Sequence, residues 1–333
     1  MSMKILGIGN ALVDILIKLP DEKLLSELNV AKGSMNLIDA EKREMIFKKI
    51  KDFSVTQTTG GSVSNTVLAL KQLGEAVGFI GKVGNDEYGD FYVKEMTNLN
   101  IELHLIHEKA FSGTAITLIT PDGERTFCTY LGAAANMQKS DLFPEVFKQY
   151  THLYIEGYLV QNHELIEAAL AMAKSLKMTI ILDLASFNVV ASDKEFIQSL
   201  VDNYVDIVFA NEEEVVALTG KHSEIAIHEM AEKTPTVVMK GGAKGSWIKQ
   251  KDLFVHIPVY KEIKPVDTTA AGDYYAAGFF YGMSHNATPE KCAKIGTLLS
   301  YHIIQVIGTK LSEDTWVEIR GKAIEILESE HHY

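Results

Sequence analysis

Val266-Asp267-Thr268-Thr269-Ala270-Ala271-Gly272-Asp273-Tyr274-Tyr275-Ala276-Ala277-Gly278-Phe279 is the stretch around which the rest of the chain is arranged. It reads as a strand end, a tight turn of small residues and the start of a helix. Small side chains at Ala270, Ala271 and Gly272 let backbone N–H groups converge on one spot. A helix beginning there adds the positive end of its dipole, so the turn predicts an anion site. Asp273 then falls in the first helical turn. Helix capping accounts for most Asp residues at such positions. Beside a bound γ-phosphate, a carboxylate also suits a general base, taking the proton of an attacking hydroxyl while the N–H groups absorb the developing charge.

Outward from this turn the chain alternates apolar runs with amphipathic segments, the pattern of a doubly wound α/β sheet. Lys4 to Ile8 reads as a buried parallel strand ending in Gly7-Ile8-Gly9-Asn10. A dinucleotide fingerprint fails here, because Leu12 stands at the third glycine position. Asn10 and Asp14 are polar groups spaced along the apolar segment that follows, where satisfying a turn is the plain alternative to binding. Gly60-Gly61-Ser62-Val63-Ser64-Asn65 opens a helix that runs to about Leu73. The paired glycines permit close backbone approach to a ligand, and the Asn65 amide lies one turn in. Thr114–Thr120, the turn Pro121-Asp122-Gly123 and Glu124–Tyr130 form a hairpin. With residues near 12–20 and 33–38 it makes a small sheet. Arg125 reads as a solvated hairpin charge.

The 333 residues carry a formal net charge of -12 and are 47% apolar, ample for a sizeable core. The negative balance argues against nucleic acid and acidic membrane surfaces as partners. Cys128 and Cys292 are the only cysteines, too few for a disulfide framework, which points to a reducing cytoplasm. The start of the chain reads as neither signal peptide nor membrane span.

Four ordered motifs, Gly60-Gly61 to Asn65, Gly81-Lys82-Val83-Gly84-Asn85-Asp86-Glu87-Tyr88-Gly89, Asn211-Glu212-Glu213-Glu214 and Asp267 to Asp273, resemble those of the ribokinase (PfkB) family. Ala270 stands where many members have Gly. The resemblance implies a ribokinase-like three-layer α/β/α fold: a doubly wound sheet (1–11, 39–100 and 132–333) with a small β-sheet lid (12–38 and 101–131). It implies ATP and Mg²⁺ as cofactors, with a monovalent cation possible, and a monomer or homodimer. Asp273 would be the catalytic base and Ala270, Ala271 and Gly272 the anion hole. Asn211, Lys240, Gly242, Gly245 and Thr268 would border the nucleotide, and Glu214 would hold Mg²⁺ through water.

The spacing of Asn10 and Asp14 is similar to that of the adenosine-kinase branch, in which the Asp grips two ribose hydroxyls. Gly33-Ser34-Met35-Asn36-Leu37-Ile38, Leu131-Gly132-Ala133-Ala134-Ala135-Asn136 and Glu156-Gly157-Tyr158-Leu159 resemble the same branch. They imply an acceptor site of Asn10, Asp14, Gly60, Gly61 and Asn65 on the ribose, with Met35, Leu37, Ala134 and Tyr158 walling a flat base. The expected reaction is transfer of a phosphoryl group from ATP to the 5′-hydroxyl of a purine nucleoside. A ribokinase- or fructokinase-like sugar kinase is the alternative.

Overall fold

Short runs such as Ile5–Ile8, Ile180–Leu182 and Val237–Met239 are apolar at every position and buried on both faces, which is what strands sandwiched between helix layers require. In the computed structural model, which describes residues 2–329, the strands are β1 (Ile5–Ile8), β2 (Leu12–Lys18), β3 (Met35–Leu37), β4 (Val55–Gly60), β5 (Val77–Gly84), β6 (Glu102–Glu108) and β7 (Gly113–Ile119). They continue with β8 (Arg125–Tyr130), β9 (His152–Glu156), β10 (Thr179–Asp183), β11 (Ile207–Asn211), β12 (Thr236–Lys240), β13 (Ser246–Gln250) and β14 (Leu253–Ile257). A nine-stranded sheet has the order β14-β13-β12-β11-β10-β9-β1-β5-β6. Its strands are parallel from β12 to β6, and β13 and β14 close one edge antiparallel. The strand order reverses beside β1, so ligands are expected outside the carboxyl ends near that strand.

A second sheet has the order β3-β8-β7-β2-β4. Its make-up differs from the sequence division in two places. Strand β4, placed with the large domain (39–100), is an edge of the small sheet, whereas β6, placed with the lid (101–131), is an edge of the large one. Strand β4 escapes pattern reading because an edge strand need not bury a full face, and Val55-Thr56-Gln57-Thr58-Thr59-Gly60 has almost no apolar alternation. Strand β6, Glu102–Glu108, does alternate, and which sheet it joins is set by topology rather than by its own pattern. Residues 1 and 330–333 of that division lie outside the described residues.

Helix Ala271–Ser284, which carries Asp273, is fixed by aromatic packing. Phe279 and Phe280 both stand edge-on to Phe209 of β11, with centroids 5.3 Å apart, and Phe280 meets Tyr154 of β9 at 5.0 Å. Each such pair contributes about 0.5–1.5 kcal/mol beyond its burial. The helix start is thereby held over the carboxyl ends of β9 to β12. The strand end expected at Val266 is absent. Strand β14 stops at Ile257, and the chain reaches Val266 as irregular backbone, whose N–H donates to the Ile304 carbonyl at 2.8 Å.

Candidate active site

At the carboxyl edge of the large sheet, neighbouring parallel strands end in polar groups: Glu156 on β9, Asp183 on β10, Asn211 on β11 and Lys240 on β12. Register puts Glu156 opposite Asp183 and Asn211 opposite Lys240. The Lys240 ammonium pairs with Asp183 at 2.7 Å and lies 3.2 Å from where a Cβ on Gly272 would stand. Burial alone would lower its pKa. The charges of Asp183 and Glu214 outweigh burial and hold it above the ordinary lysine value.

Asp273 is half-buried at the start of helix Ala271–Ser284. Its Oδ1 accepts from the Ser62 hydroxyl at 2.7 Å and its Oδ2 from the Asn65 amide at 2.9 Å, both from helix Ser62–Gln72. Burial pushes its pKa up to about 6, against the pull of those two donors. The turn before it departs in part from expectation. The Ala271 N–H is taken by the Thr268 carbonyl at 3.2 Å, whereas those of Ala270, Gly272 and Asp273 have no acceptor among the described residues.

Ala270 sits in the left-handed region at φ 60°, where a Cβ is strained by about 1 kcal/mol. Ala270→Gly is therefore expected to raise the denaturant-unfolding free energy by up to about 1 kcal/mol. A lower unfolding midpoint in that variant would show that the Ala270 methyl makes contacts outweighing its strain.

Asp267 closes the turn from behind. It is 4% exposed, and its Oδ1 accepts the Thr269 N–H at 2.8 Å and its Oδ2 the Gly308 N–H at 2.7 Å. Arg125, expected as a solvated charge, is instead ion-paired to this carboxylate, and its Nη2 donates to the Val266 carbonyl at 3.3 Å. The short hairpin brings Arg125 onto the Val266–Asp267 segment that leads into the Asp273 helix, a tertiary contact that its local sequence does not encode.

On the small sheet, Asp14 pairs with Ala115, Ala115 with Thr129, and Thr129 with Leu37. Side chains directly opposite across strands share a face, so these four form one row. The neighbouring row is Leu16, Thr117, Phe127 and Met35. Asp14, Met35 and Leu37 are thus brought to one face, together with Phe127, which the sequence reading passed over. Period-2 parity with Arg125 and Thr129 would have found it. A Cβ at Gly60 would collide with the Asp14 carboxylate, and one at Gly61, at φ 99°, with the Asn10 carbonyl. Both glycines are therefore demanded by close approach. Burial, with the charge of Asp273, pushes the Asp14 pKa up to about 8.

Leu37 and Thr129 also line a groove of about 300 Å³ with Ile38, Ala110, Tyr130, Leu131, Gly132, Ala135 and Asn136. Ala134, expected in the wall, is 2% exposed and belongs to the core. Tyr158 is 37% exposed in a short turn after β9, outside the groove but close enough to Glu156 and Asp273 for their charges, after burial, to help hold its phenol protonated.

Glu156, quoted above only within a motif, is 1% exposed. Its Oε1 accepts the Asn10 N–H at 3.0 Å and the Asn10 amide at 2.6 Å, and its Oε2 accepts the Val63 N–H at 3.1 Å. Burial raises its pKa to about 7 despite these donors. The Asn10 amide N–H₂ is therefore engaged by Glu156, which fixes the side chain and leaves its carbonyl oxygen to point elsewhere.

Glu214 is 2% exposed and forms a capping box with Asn211: its Oε1 and Oε2 accept from Asn211 Nδ2 at 2.7 Å and N at 2.8 Å. Burial pushes its pKa up, against the pull of Lys240. No group of three or more His, Cys, Asp or Glu among the described residues is placed to hold a metal directly. The loop Gly241–Gly245 is a closed turn with Gly242 exposed and Gly245 buried, tied to Glu212 by Lys244 at 2.9 Å. Thr268 is exposed, just ahead of the Ala270–Asp273 turn in sequence.

An acid at a helix start, N–H groups without acceptors among the described residues and the Lys240 ammonium beside Gly272 gather at this carboxyl edge, an arrangement able to serve phosphoryl transfer. Residues 26–316 match the pfkB family carbohydrate kinase, and the chain belongs to that family, whose members are phosphotransferases acting on hydroxyl groups. It is 26% identical over 337 aligned positions to adenosine kinase 2 of Arabidopsis thaliana, covering 93% of this chain and 96% of that one. Among solved structures, adenosine kinase from Sinorhizobium meliloti superposes with a TM-score of 0.86 at 28% identity, covering 97% of this chain and 100% of the other. A probable sugar kinase protein from Rhizobium etli gives 0.87 at 26% identity, covering 98% and 100%. The fold is ribokinase-like, and no helix among the described residues is long and apolar enough to cross a membrane.

Proposed function

We propose that this protein transfers the γ-phosphoryl group of ATP to the 5′-hydroxyl of a purine nucleoside, adenosine above all, in the cytoplasm. The observation that carries the acceptor assignment is the row Asp14, Ala115, Thr129, Leu37. Strands lie about 4.8 Å apart, so the row spans roughly 14 Å from a carboxylate to an apolar end. A nucleoside uses both ends, ribose hydroxyls at Asp14 and base toward Leu37 and Thr129. A free sugar leaves the far end unused.

In the reaction, Asp273 accepts the proton of the 5′-hydroxyl as its oxygen attacks the γ-phosphorus, and ADP leaves with the electron pair of the broken P–O bond. The N–H groups of Ala270 and Gly272 and the Lys240 ammonium face the charge that spreads over the transferring oxygens. Ser62 and Asn65 aim the Asp273 carboxylate. Asn10, oriented by Glu156, and the Gly60-Gly61 backbone complete the ribose cradle, and Tyr158 flanks it. The nucleotide lies along Asn211, Lys240, Thr268 and the Gly242–Gly245 loop. Glu214 and Asp273 both lie near enough to Lys240 to feel its charge, and a divalent cation held there would be met by carboxylates. Glu214, fixed by Asn211, would hold Mg²⁺ through its waters, and the ion would neutralise phosphate charge.

ADP release measured with ATP, Mg²⁺ and a panel of nucleosides and sugars tests the assignment. Sugar phosphorylation without nucleoside phosphorylation would replace it with the sugar-kinase reading, which the Rhizobium etli relative keeps in view. Asp14→Ala is expected to weaken nucleoside binding by roughly 2 kcal/mol, because a hydrogen-bonding group aimed at the ribose is lost. An unchanged calorimetric Kd would remove Asp14 from the site.

A further inference from the structure

The motif Gly81–Gly89 supplies none of the groups assigned to the reaction, yet it meets a feature that nothing above uses. Arg43, on helix Ala40–Ile50, is 5% exposed, and its Nε has no hydrogen-bond partner among the described residues. No carboxylate among the described residues is paired with it. Four aromatic rings surround the guanidinium instead: Phe47 and Phe111 at 4.7 Å, Tyr88 at 5.4 Å and Tyr130 at 5.5 Å. A buried cation with no paired anion is unfavourable unless ring faces supply the missing negative potential, and four rings within 5.5 Å are placed to do so.

The rings come from separate elements. Phe111 lies where the chain enters β7, and Tyr130 ends β8, so they mark the two stems of the hairpin. Tyr88 belongs to the first turn of helix Glu87–Asn98, and the preceding Asp86 binds the same stem. Asp86 Oδ2 accepts the Ser112 N–H at 2.8 Å and its Oδ1 the Ser112 hydroxyl at 2.6 Å. Arg43 itself follows β3, which carries Leu37. The cage therefore gathers the segments whose meeting makes the groove: 37–38, 110 and 129–132. Phe111 also supports the groove floor, since its carbonyl accepts the Ala133 N–H at 2.8 Å.

We propose that Arg43 is a positioning residue for the acceptor: its cation–π cage holds the hairpin stems and the β3 segment in the register that forms the base-binding groove. This rests on the nucleoside reading above. None of the cage residues belongs to helix Ala271–Ser284 or to the Lys240–Gly245 segment, so the nucleotide side is independent of it.

The test is calorimetric binding of adenosine and, separately, of ATP. Arg43→Met keeps the bulk and removes the charge. It is expected to weaken adenosine by at least about 10-fold with ATP within about 2-fold. Arg43→Lys restores the cation and should return adenosine to within about 3-fold of wild type. Phe111→Leu removes the 44% exposed ring and should cause a smaller loss in the same direction. It carries the test with Arg43→Lys if Arg43→Met does not fold. Parallel losses of adenosine and ATP, unchanged adenosine affinity in Arg43→Met, or Lys no better than Met would each overturn the proposal. With Arg43→Met unfolded, Phe111→Leu that spares adenosine or weakens both ligands alike overturns it. A wild-type protein that binds no nucleoside overturns the acceptor assignment itself, an outcome distinct from a wild type that binds while the variants bind equally well.

Discussion

Asp273→Asn is expected to lower kcat by about 10²–10⁴ while ATP still binds. Asn is isosteric and keeps an acceptor for the Ser62 hydroxyl, which now stands 2.7 Å from Oδ1, but it cannot take the proton of the attacking hydroxyl. The Lys240 ammonium and the unpaired N–H groups remain for the phosphates, so nucleotide affinity should survive. The pH dependence has a definite sign. Burial raises the Asp273 pKa from 3.8 to about 6, so the base is protonated below that pH and kcat/KM should fall on the acid side with an apparent pKa near 6. Lys240→Met should move this limb upward, because the ammonium is one of the groups that lower the Asp273 pKa. Linkage gives the matching stability effect. A carboxyl whose folded pKa lies above its unfolded value costs stability as pH rises through the interval between them, here from about 3.8 to about 6, and the full cost persists above it. Asp273→Asn removes that cost and should melt no lower than wild type at pH 7. Near-normal turnover in the variant would take the base role from Asp273, and a markedly lower melting temperature would show that its role is structural.

How far the sequence disclosed this site depends on whether the signal was local. The buried strands are continuous apolar runs, and the helix starts at Ser62 and Ala271 follow glycine or small-residue turns, so both were legible. Glu156 and Asp183 are the last residues of apolar strands, where the carboxyl-edge rule for open α/β sheets points to ligands, but a single terminal acid looks like any strand end. Only the fold shows that Glu156 joins Asn10 to Val63, across 146 and 93 residues. The Arg125–Asp267 pair and the Arg43 cage are likewise products of topology. Arg43 sits in a charged, helix-like run, and nothing around it in sequence announces that Phe111 and Tyr130 will close over it. Ala134 shows the converse: its motif carried only a resemblance, and the burial of one methyl depends on packing that no spacing encodes.

The preference between nucleoside and sugar should be large. If the base is held at the far end of the Asp14–Leu37 row, its binding energy is remote from the reacting oxygen and can be used to position that oxygen. Adenosine should then exceed ribose in kcat/KM by at least about 10³, with part of the deficit for ribose appearing in kcat. Leu37 offers the sharpest check, because it is 67% exposed, so its removal should leave the core intact. Leu37→Ala should reduce adenosine turnover and leave any residual ribose turnover nearly unchanged, since ribose has no base to lose contact with. Tyr158→Ala should show the same asymmetry only if the phenol reaches the base from the opposite wall. Equal damage to both acceptors would place it on the ribose or among the elements that orient the Asp273 neighbourhood. Ribose preferred over adenosine by the wild-type protein would mean that the groove between Leu37 and Leu131 is not an acceptor subsite, and the row across the small sheet would then serve only to close the crevice against water.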